Sequence, residues 1–139
     1  GDPSQAGEDA TPVGQLCERI AQGEAGEARA ILGRAPALAF QADRDGMTPL
    51  HWACDRGSAE LVRALLEMLG QRSDAPACLN ARDASGDTPL HFAVLTDNME
   101  IARLLLGCRA ALDAKNNEGE SPLALADGEE WRELLGRAA

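Results

Sequence analysis

Two histidines and a nearby cysteine are the residues whose types could do chemistry, since a neutral imidazole serves as a general base or a metal ligand. His51 lies three residues before Cys54, and His91 lies forty residues after His51. A zinc site needs a second ligand pair at a short spacing, and the sequence has neither such a pair nor a CxxC motif. Catalysis needs a nucleophile, a base and an orienting carboxylate in one cleft, and no known catalytic motif surrounds either histidine. We therefore expect no enzyme activity, no metal ion and no cofactor.

Both histidines belong to an internal repeat. Residues 48–51 and 88–91 both read Thr-Pro-Leu-His, and residues 121–124 read Ser-Pro-Leu-Ala. A second matched block follows the first two copies, Glu-Leu-Val-Arg at 60–63 and Glu-Ile-Ala-Arg at 100–103. Two matched blocks in one order identify a structural repeat. We expect each imidazole to bond the threonine hydroxyl of its motif and nearby turn backbone, which assigns a structural role to four residues: Thr48, His51, Thr88 and His91.

Each repeat carries signals for a turn followed by two helices. A glycine suited to positive φ recurs at positions 46, 86 and 119, and three residues before it stands an Asp or Asn that can close an Asx turn. The predicted helix N-caps, each followed by proline, are Thr48, Thr88 and Ser121. In the first copy this predicts a helix from Pro49 to about Arg56, a break at Gly57 and a second helix from about Ala59.

Composition favours an all-α fold in one domain. The chain has 139 residues, 45% of them hydrophobic, and Ala and Leu supply most of these. Only six residues are Val or Ile and there is no Tyr, whereas strands favour β-branched and aromatic side chains. The net charge of −10 repels phosphate backbones and anionic membranes, and no apolar run reaches the ~20 residues of a membrane span. We expect no nucleic-acid ligand and no membrane insertion.

The Thr-Pro-Leu-His motif, followed by the Glu-Leu-Val or Glu-Ile-Ala stripe, resembles the ankyrin repeat, strongly over residues 43–126. The resemblance implies an all-α solenoid of about four helix-turn-helix repeats, two well formed and two capping, because one unit cannot bury its own apolar face. It places the ankyrin-repeat domain at residues 11–139. Residues 1–10 are rich in Gly, Ser, Pro and acids and are predicted to be a disordered or tag-derived tail.

The ends of the chain and one insertion depart from the repeat pattern. Residues 16–23 and 27–33 match the two helices of a first, capping repeat. Residues 130–135 match a final outer helix, shortened or shifted by about one turn, with Trp131 as its apolar anchor. In the second repeat the outer helix continues about one turn further, and residues 71–78 are predicted to be an added surface loop. This loop is either a tolerated insertion or a contact surface of its own.

The resemblance implies a non-enzymatic module that binds an unidentified protein or peptide through a concave groove, at turn tips and exposed inner-helix positions. We call the partner-binding residues that it implies the contact surface: Arg44, Asp45, Met47, Asp55, Arg56, Ser85, Asp87, Leu95 and Thr96. Leu95 and Met47 are apolar at positions expected to face water, which makes them the predicted anchors. Arg44 and Arg56 at the edge predict an acidic and hydrophobic peptide as the partner.

A closer resemblance implies an alternative function. Residues 51–57, His-Trp-Ala-Cys-Asp-Arg-Gly, are similar to the ankyrin portion of acyl-CoA-binding proteins that carry ankyrin repeats. The chain would then be the accessory half of a long-chain acyl-CoA carrier, with the lipid-binding domain upstream of Gly1. Four cysteines without a paired motif favour a reducing compartment, cytoplasmic or nuclear. Cys17 and Cys54 lie among apolar helix positions and are predicted to be buried, and we expect a monomer.

Overall fold

The computed structural model describes residues 11–138, and over this range the chain is helical, with no β-strand. The nine α-helices of this range are α1 (Pro12–Ala21), α2 (Ala25–Arg34), α3 (Pro49–Arg56), α4 (Ala59–Leu69), α5 (Ala75–Leu79), α6 (Pro89–Leu95), α7 (Met99–Gly107), α8 (Pro122–Leu125) and α9 (Glu129–Ala138). A 3-10 helix, Pro36–Phe40, follows α2. The predicted all-α fold is confirmed, and the predicted tail at residues 1–10 lies outside the described residues.

Four helix pairs form one continuous stack. The pairs are α1–α2, α3–α4, α6–α7 and α8–α9, and each inner helix (α1, α3, α6, α8) contacts the inner helix of the next pair. The outer helices α4, α7 and α9 contact one another in that order, and the 3-10 helix connects α2 to α4. An apolar core runs through the stack, and each repeat contributes at least one fully buried leucine to it, such as Leu16, Leu65, Leu105 and Leu135.

Each inner helix begins at a threonine or serine that is followed by proline. The hydroxyl oxygens of Thr48, Thr88 and Ser121 accept the N–H of the residue three positions on, which satisfies a helix amide that has no intrahelical partner. Thr11 does the same for α1, at 3.1 Å. α1 therefore begins four residues before Leu16, the first residue of the stretch predicted for this helix, although a Thr-Pro pair marks the true start.

The insertion after the second repeat is not only a loop. Residues 71–78 are predicted to be a loop, but the last four of them belong to α5. Pro76 suits the first turn of a helix, and Leu79, which is 5% exposed, packs this short helix onto the core. The Arg72 guanidinium stacks over the Phe40 ring, 4.2 Å from its centroid, and connects the insertion to the 3-10 helix.

The last repeat is shortened in its inner helix and not in its outer one. α9 has ten residues, so of the two expected alternatives the outer helix is not the shortened one, whereas α8 has only four residues against eight in α3 and seven in α6. Seven positions separate Ser121 from Gly128, the residue before α9, where ten separate Thr48 from Ser58. The outer helix is thereby shifted by about one turn, as predicted, and Trp131 is buried as its anchor.

Candidate functional site

The three turn tips are closed by the Asx turns that the sequence predicts. One carboxylate oxygen of Asp43 accepts the N–H groups of Asp45 and Met47, at 2.9 and 3.0 Å. Asp83 and Asn116 make the same pair of bonds in the next two repeats. Each of these side chains holds two backbone amides, so every tip has one defined conformation.

The tips are also joined to one another. The N–H of Ala84 donates to the carbonyl of Asp45 at 3.0 Å, and the N–H of Asn117 donates to the carbonyl of Ser85 at 2.9 Å. Gly86 has a φ of 81°, and a β-carbon there would lie 2.8 Å from the Asn117 nitrogen, so neither the backbone nor the space accepts a side chain. The three tips therefore form one connected row.

The two histidines connect each repeat to the next. The N–H of Thr48 donates to His51 Nδ1 at 3.0 Å, so Nδ1 is the acceptor and the ring proton lies on Nε2. Nε2 donates to the Asp87 carbonyl, 2.9 Å away in the following tip. His91 has the same bonds to Thr88 and to the Glu120 carbonyl. The predicted contacts to the threonine hydroxyl, 2.8 Å in both motifs, and to turn backbone are present.

Burial shifts the pKa of His51 and of Cys54 in opposite directions. Both histidine side chains are fully buried, and desolvation lowers the pKa of His51 below its ordinary value of about 6.5. Burial raises the pKa of the Cys54 thiol far above its ordinary range, which keeps the sulfur protonated. Cys17 and Cys54 are buried as predicted. The two histidines and Cys54, the residues whose types could do chemistry, are therefore enclosed in the core.

The two inner-helix aromatics lie between the core and the surface. Trp52 and Phe92 are both half-buried and pack against the core cluster. Trp52 Nε1 donates to the second carboxylate oxygen of Asp43 at 2.9 Å, and the Phe92 ring meets the His51 ring edge to face, with centroids 5.7 Å apart. Each of the two side chains is therefore partly packed against the core and partly exposed.

The nine residues of the contact surface differ in exposure. Six are exposed: Arg44, Asp45, Arg56, Ser85, Leu95 and Thr96. Asp55, Asp87 and Met47 are half-buried. Met47, which was expected to face water, is therefore only partly exposed, and its N–H and its carbonyl both bond to Asp43 within the turn.

Several groups of the contact surface already have partners within the chain. The Asp87 carboxylate accepts from the Asn116 side chain at 2.9 Å, and the Thr96 hydroxyl donates to the Phe92 carbonyl at 2.8 Å. Arg56 lies 3.9 Å from the Asp55 carboxylate. Asp55 and Arg56 end α3, Leu95 and Thr96 lie at the end of α6, and these two helices contact each other, so the structure brings these four residues to neighbouring helix ends.

Two leucines are the large hydrophobic residues with exposed side chains in the described part of the chain. Leu95 is 55% exposed, as predicted. Leu123, at 46%, was not among the predicted site residues. The sequence contained a signal for it, since the motif around Leu123 has lost its histidine and belongs to the last copy of the repeat. Within residues 11–138 no cluster of His, Cys, Asp or Glu could hold a metal ion. No helix of this range is long and apolar enough to cross a bilayer.

Comparison with known families agrees with the geometry. The family described as ankyrin repeats (3 copies) matches residues 21–117, which is more than half of the chain. The chain therefore belongs to the ankyrin-repeat family. The match ends at the tip of the last repeat, while the helices of that repeat, α8 and α9, continue the stack beyond it. A search among curated proteins gave no match.

Proposed function

We propose that this chain is a non-enzymatic protein-interaction module that binds a partner protein or peptide at the contact surface. Ankyrin-repeat domains are typically interaction modules of this kind, and the chain belongs to that family. The observation that carries the proposal is Leu95. Its side chain is 55% exposed at the repeat position that Asp55 occupies on α3, so an apolar group stands where the preceding repeat has a charge.

The connected row of tips supports the proposal. Binding costs less free energy when the surface already has its bound conformation, and the Asx turns and tip-to-tip bonds provide this order. The exposed side chains of Arg44, Asp45 and Ser85 extend from this ordered backbone. A partner segment that lies along the row would contact Leu95 at one side and polar tip residues at the other.

The contacts that the charged groups already make within the chain indicate which kind of partner the contact surface binds. The Arg56 cation is 3.9 Å from Asp55, so its attraction for an acidic partner is reduced. Burial around Leu95 therefore supplies most of the affinity, while Arg44 and Arg56 steer an acidic and hydrophobic segment towards it. The buried histidines and the buried Cys54 support the non-enzymatic part of the proposal, because a catalytic group has to reach a substrate.

A charge at Leu95 tests the proposal. A partner recovered by pull-down from a matched cell extract is purified, and its affinity is measured by titration calorimetry for wild type and Leu95→Asp. We expect Leu95→Asp to weaken binding more than tenfold, because it places an unpaired charge in a buried contact. The double variant Arg44→Glu/Arg56→Glu should lose a smaller factor, and raised salt should slow association modestly.

The second exposed leucine provides the matched control. Leu123→Asp introduces the same charge on an exposed leucine of another repeat and should leave the affinity of this partner unchanged. Circular dichroism melting curves should show that both variants are folded. Equal affinity for Leu95→Asp, the arginine variant and wild type would overturn the assignment of the contact surface.

The alternative, an accessory half of an acyl-CoA carrier, stays a prediction from residues 51–57. It assigns no ligand contact to any residue of this chain, so a long-chain acyl-CoA titration of the chain alone should give no binding. For localisation we propose the cytoplasm or nucleus, where thiols stay reduced. The free state of Cys17, Cys54, Cys78 and Cys108 supports this proposal.

A further inference from the structure

A groove lies between two outer helices, α2 of the first repeat and α4 of the second. It is an open cavity of about 430 Å³, and the 3-10 helix, which contacts both α2 and α4, contributes Pro36 to its wall. We call this surface the outer groove and define it by six of its lining residues: Leu32, Gly33, Pro36, Ala64, Glu67 and Met68.

The middle of the outer groove is apolar and unfilled. Leu32 is 3% exposed, and the half-buried Ala64 and Met68 line the groove beside it. A β-carbon at Gly33 would have no atom of the described residues within 4 Å, so no side chain of the described chain occupies this space. An apolar side chain of a partner that entered here would gain free energy from burial.

An ion pair closes one end of the outer groove. Arg29 also lines the groove, and its guanidinium pairs with the Glu60 carboxylate. Gly33 lies four residues after Arg29, and Ala64 lies four residues after Glu60, so the pair stands about one turn before the apolar middle on both helices. The positive charge of Arg29 is therefore offset by a carboxylate of the chain itself.

Glu67 is the charge at the other end. It lies three residues after Ala64 and seven after Glu60, so helix geometry places it on the same side of α4, about one turn beyond the apolar middle. None of the ion pairs within residues 11–138 includes the Glu67 carboxylate. One end of the outer groove is thus electrically balanced, and the other end presents an unpaired negative charge.

We propose that the outer groove binds an amphipathic helix of a partner protein, one that presents a large apolar side chain and, about one turn away, a lysine or arginine. The apolar side chain enters the space above Gly33 and Ala64, and the cation lies beside Glu67. The two contacts are one turn apart on α4, which is also the distance between residues i and i+3 or i+4 of a bound helix. The outer groove shares no residue with the contact surface, so this proposal does not depend on the function proposed above.

Charge disfavours two other occupants. Residues 1–10 contain three acidic residues and no lysine or arginine, so this stretch lacks a side-chain cation for Glu67. A second copy of the chain carries the same net charge of −10, and the two copies repel each other. The same net charge attracts a basic partner before contact is made.

The probe is a synthetic alanine-rich peptide of about 18 residues, long enough to be helical in water, with leucine and lysine spaced by one turn along one face. A control peptide has glutamate at each lysine position. Each peptide carries a fluorescent label, and its affinity for the chain is measured by fluorescence anisotropy. The buffer contains about 0.15 M salt, because this screens exposed charges that are more than roughly 8 Å apart.

Two glycine variants of α2 test where the lysine peptide binds. Gly33→Leu fills the outer groove, whereas Gly26→Leu, the matched control, adds the same side chain outside it, and neither β-carbon meets an atom within 4 Å. We expect Gly33→Leu to weaken binding about tenfold and Gly26→Leu to bind as wild type does. Circular dichroism melting curves should show both variants folded, because leucine is a better helix former than glycine.

A charge variant tests the second contact. Glu67→Gln keeps the shape of the side chain and removes its charge, so it should weaken binding of the lysine peptide severalfold. Glu118→Gln, the matched control, removes the same charge from an exposed turn tip and should leave the affinity unchanged. The glutamate peptide should bind wild type much more weakly than the lysine peptide does.

Three results would overturn the proposal. The first is equal affinity of wild type and Gly33→Leu for the lysine peptide, or no saturable binding to either. The second is equally tight binding of the glutamate peptide. The third is self-association in analytical ultracentrifugation that Gly33→Leu abolishes, which would make a second copy of the chain the occupant. None of these variants changes a residue of the contact surface, so failure of one proposal leaves the other standing.

Discussion

The second and third repeats differ from the last repeat in how they meet a neighbour. In the second and third repeats the motif is complete, the histidine bonds the next tip, and the motif leucine is 1% exposed. In the last repeat, Ala124 stands at the histidine position, α8 has four residues, and Leu123 is 46% exposed. From the second repeat onward, the four-residue motif is therefore complete where another repeat stacks on it and degenerate where no described repeat follows.

The difference shows that the motif has a local and a long-range part. A hydroxyl residue followed by proline, Thr-Pro in two copies and Ser-Pro in the last, starts the inner helix in all three, whether or not a described repeat follows. The histidine bonds the next tip, and it is lost in the last repeat, where the motif leucine is also exposed. The last repeat is held in another way, since Trp131 Nε1 donates to the Asp97 carboxylate of the third repeat at 2.5 Å.

Removing His51 should produce the largest effect. His51→Ala deletes a buried ring that bonds Thr48 and Asp87 and contacts Phe92, so it leaves both a cavity and unpaired polar groups. We expect a loss of roughly 2–4 kcal/mol in the free energy of unfolding, measured by urea denaturation. His91→Ala should cost on the order of 1–3 kcal/mol. An unchanged denaturation midpoint for both variants would contradict the structural role assigned to the two histidines.

The pH dependence of stability gives a second readout for His51. Burial lowers its pKa in the folded state, so the unfolded chain binds the proton more readily. Its contribution to stability is complete above about pH 6.5 and is lost as pH falls through the folded-state pKa. We expect the difference in stability between wild type and His51→Ala to shrink on acidification. A constant difference between about pH 7.5 and pH 5 would contradict this.

Breaking the bond that holds the last repeat should have an intermediate effect. Asp97 has a φ of 57°, a left-handed conformation that Asp and Asn tolerate better than Ala does. In Asp97→Ala, alanine must adopt this left-handed conformation, and the Trp131 N–H is left unpaired. Together these effects should lower the free energy of unfolding by roughly 1–3 kcal/mol. Asp97→Asn keeps an oxygen acceptor and should cost under about 1 kcal/mol. Equal denaturation midpoints for the two variants would show that the bond contributes nothing.

Restoring the histidine of the last motif should have the smallest effect. Ala124→His places an imidazole in α8, where no further tip in the described chain offers a carbonyl to Nε2. We expect the free energy of unfolding to change by less than about 0.5 kcal/mol, measured by the same urea titration. A gain as large as the loss in His91→Ala would mean that the motif acts within its own repeat.

Most of the fold could be predicted because its signals are local. The Asx turns and the N-caps act within four residues of their own position, so residue types at fixed spacings identify them. The short α5 was missed, and the choice between a shortened and a shifted α9 stayed open, because both depend on packing that residue spacing does not encode. Leu79 holds α5 to the core, and Trp131 anchors α9 by its burial and its bond to Asp97.

The exposure of some candidate-site residues could be predicted from the sequence, and the exposure of others could not. Leu95 follows the repeat register, and its exposed position was predicted from it. Met47 was expected to be exposed but is half-buried, since both of its backbone groups bond to Asp43. Leu123 follows the same Pro-Leu pattern as Leu50, and the loss of the histidine after it was the one local signal that this leucine is uncovered.

The sequence alone determined the repeat, the starts of most inner helices, the turn tips and the two histidines as members of one motif. Each of these depends on atoms a few residues apart, which the order of residues specifies directly. Only the tertiary structure decided that His51 bonds Asp87, that Asp97 holds Trp131, and that Leu123 stays exposed. These depend on which repeat lies beside which, because burial and long-range hydrogen bonds belong to a residue and its neighbours together.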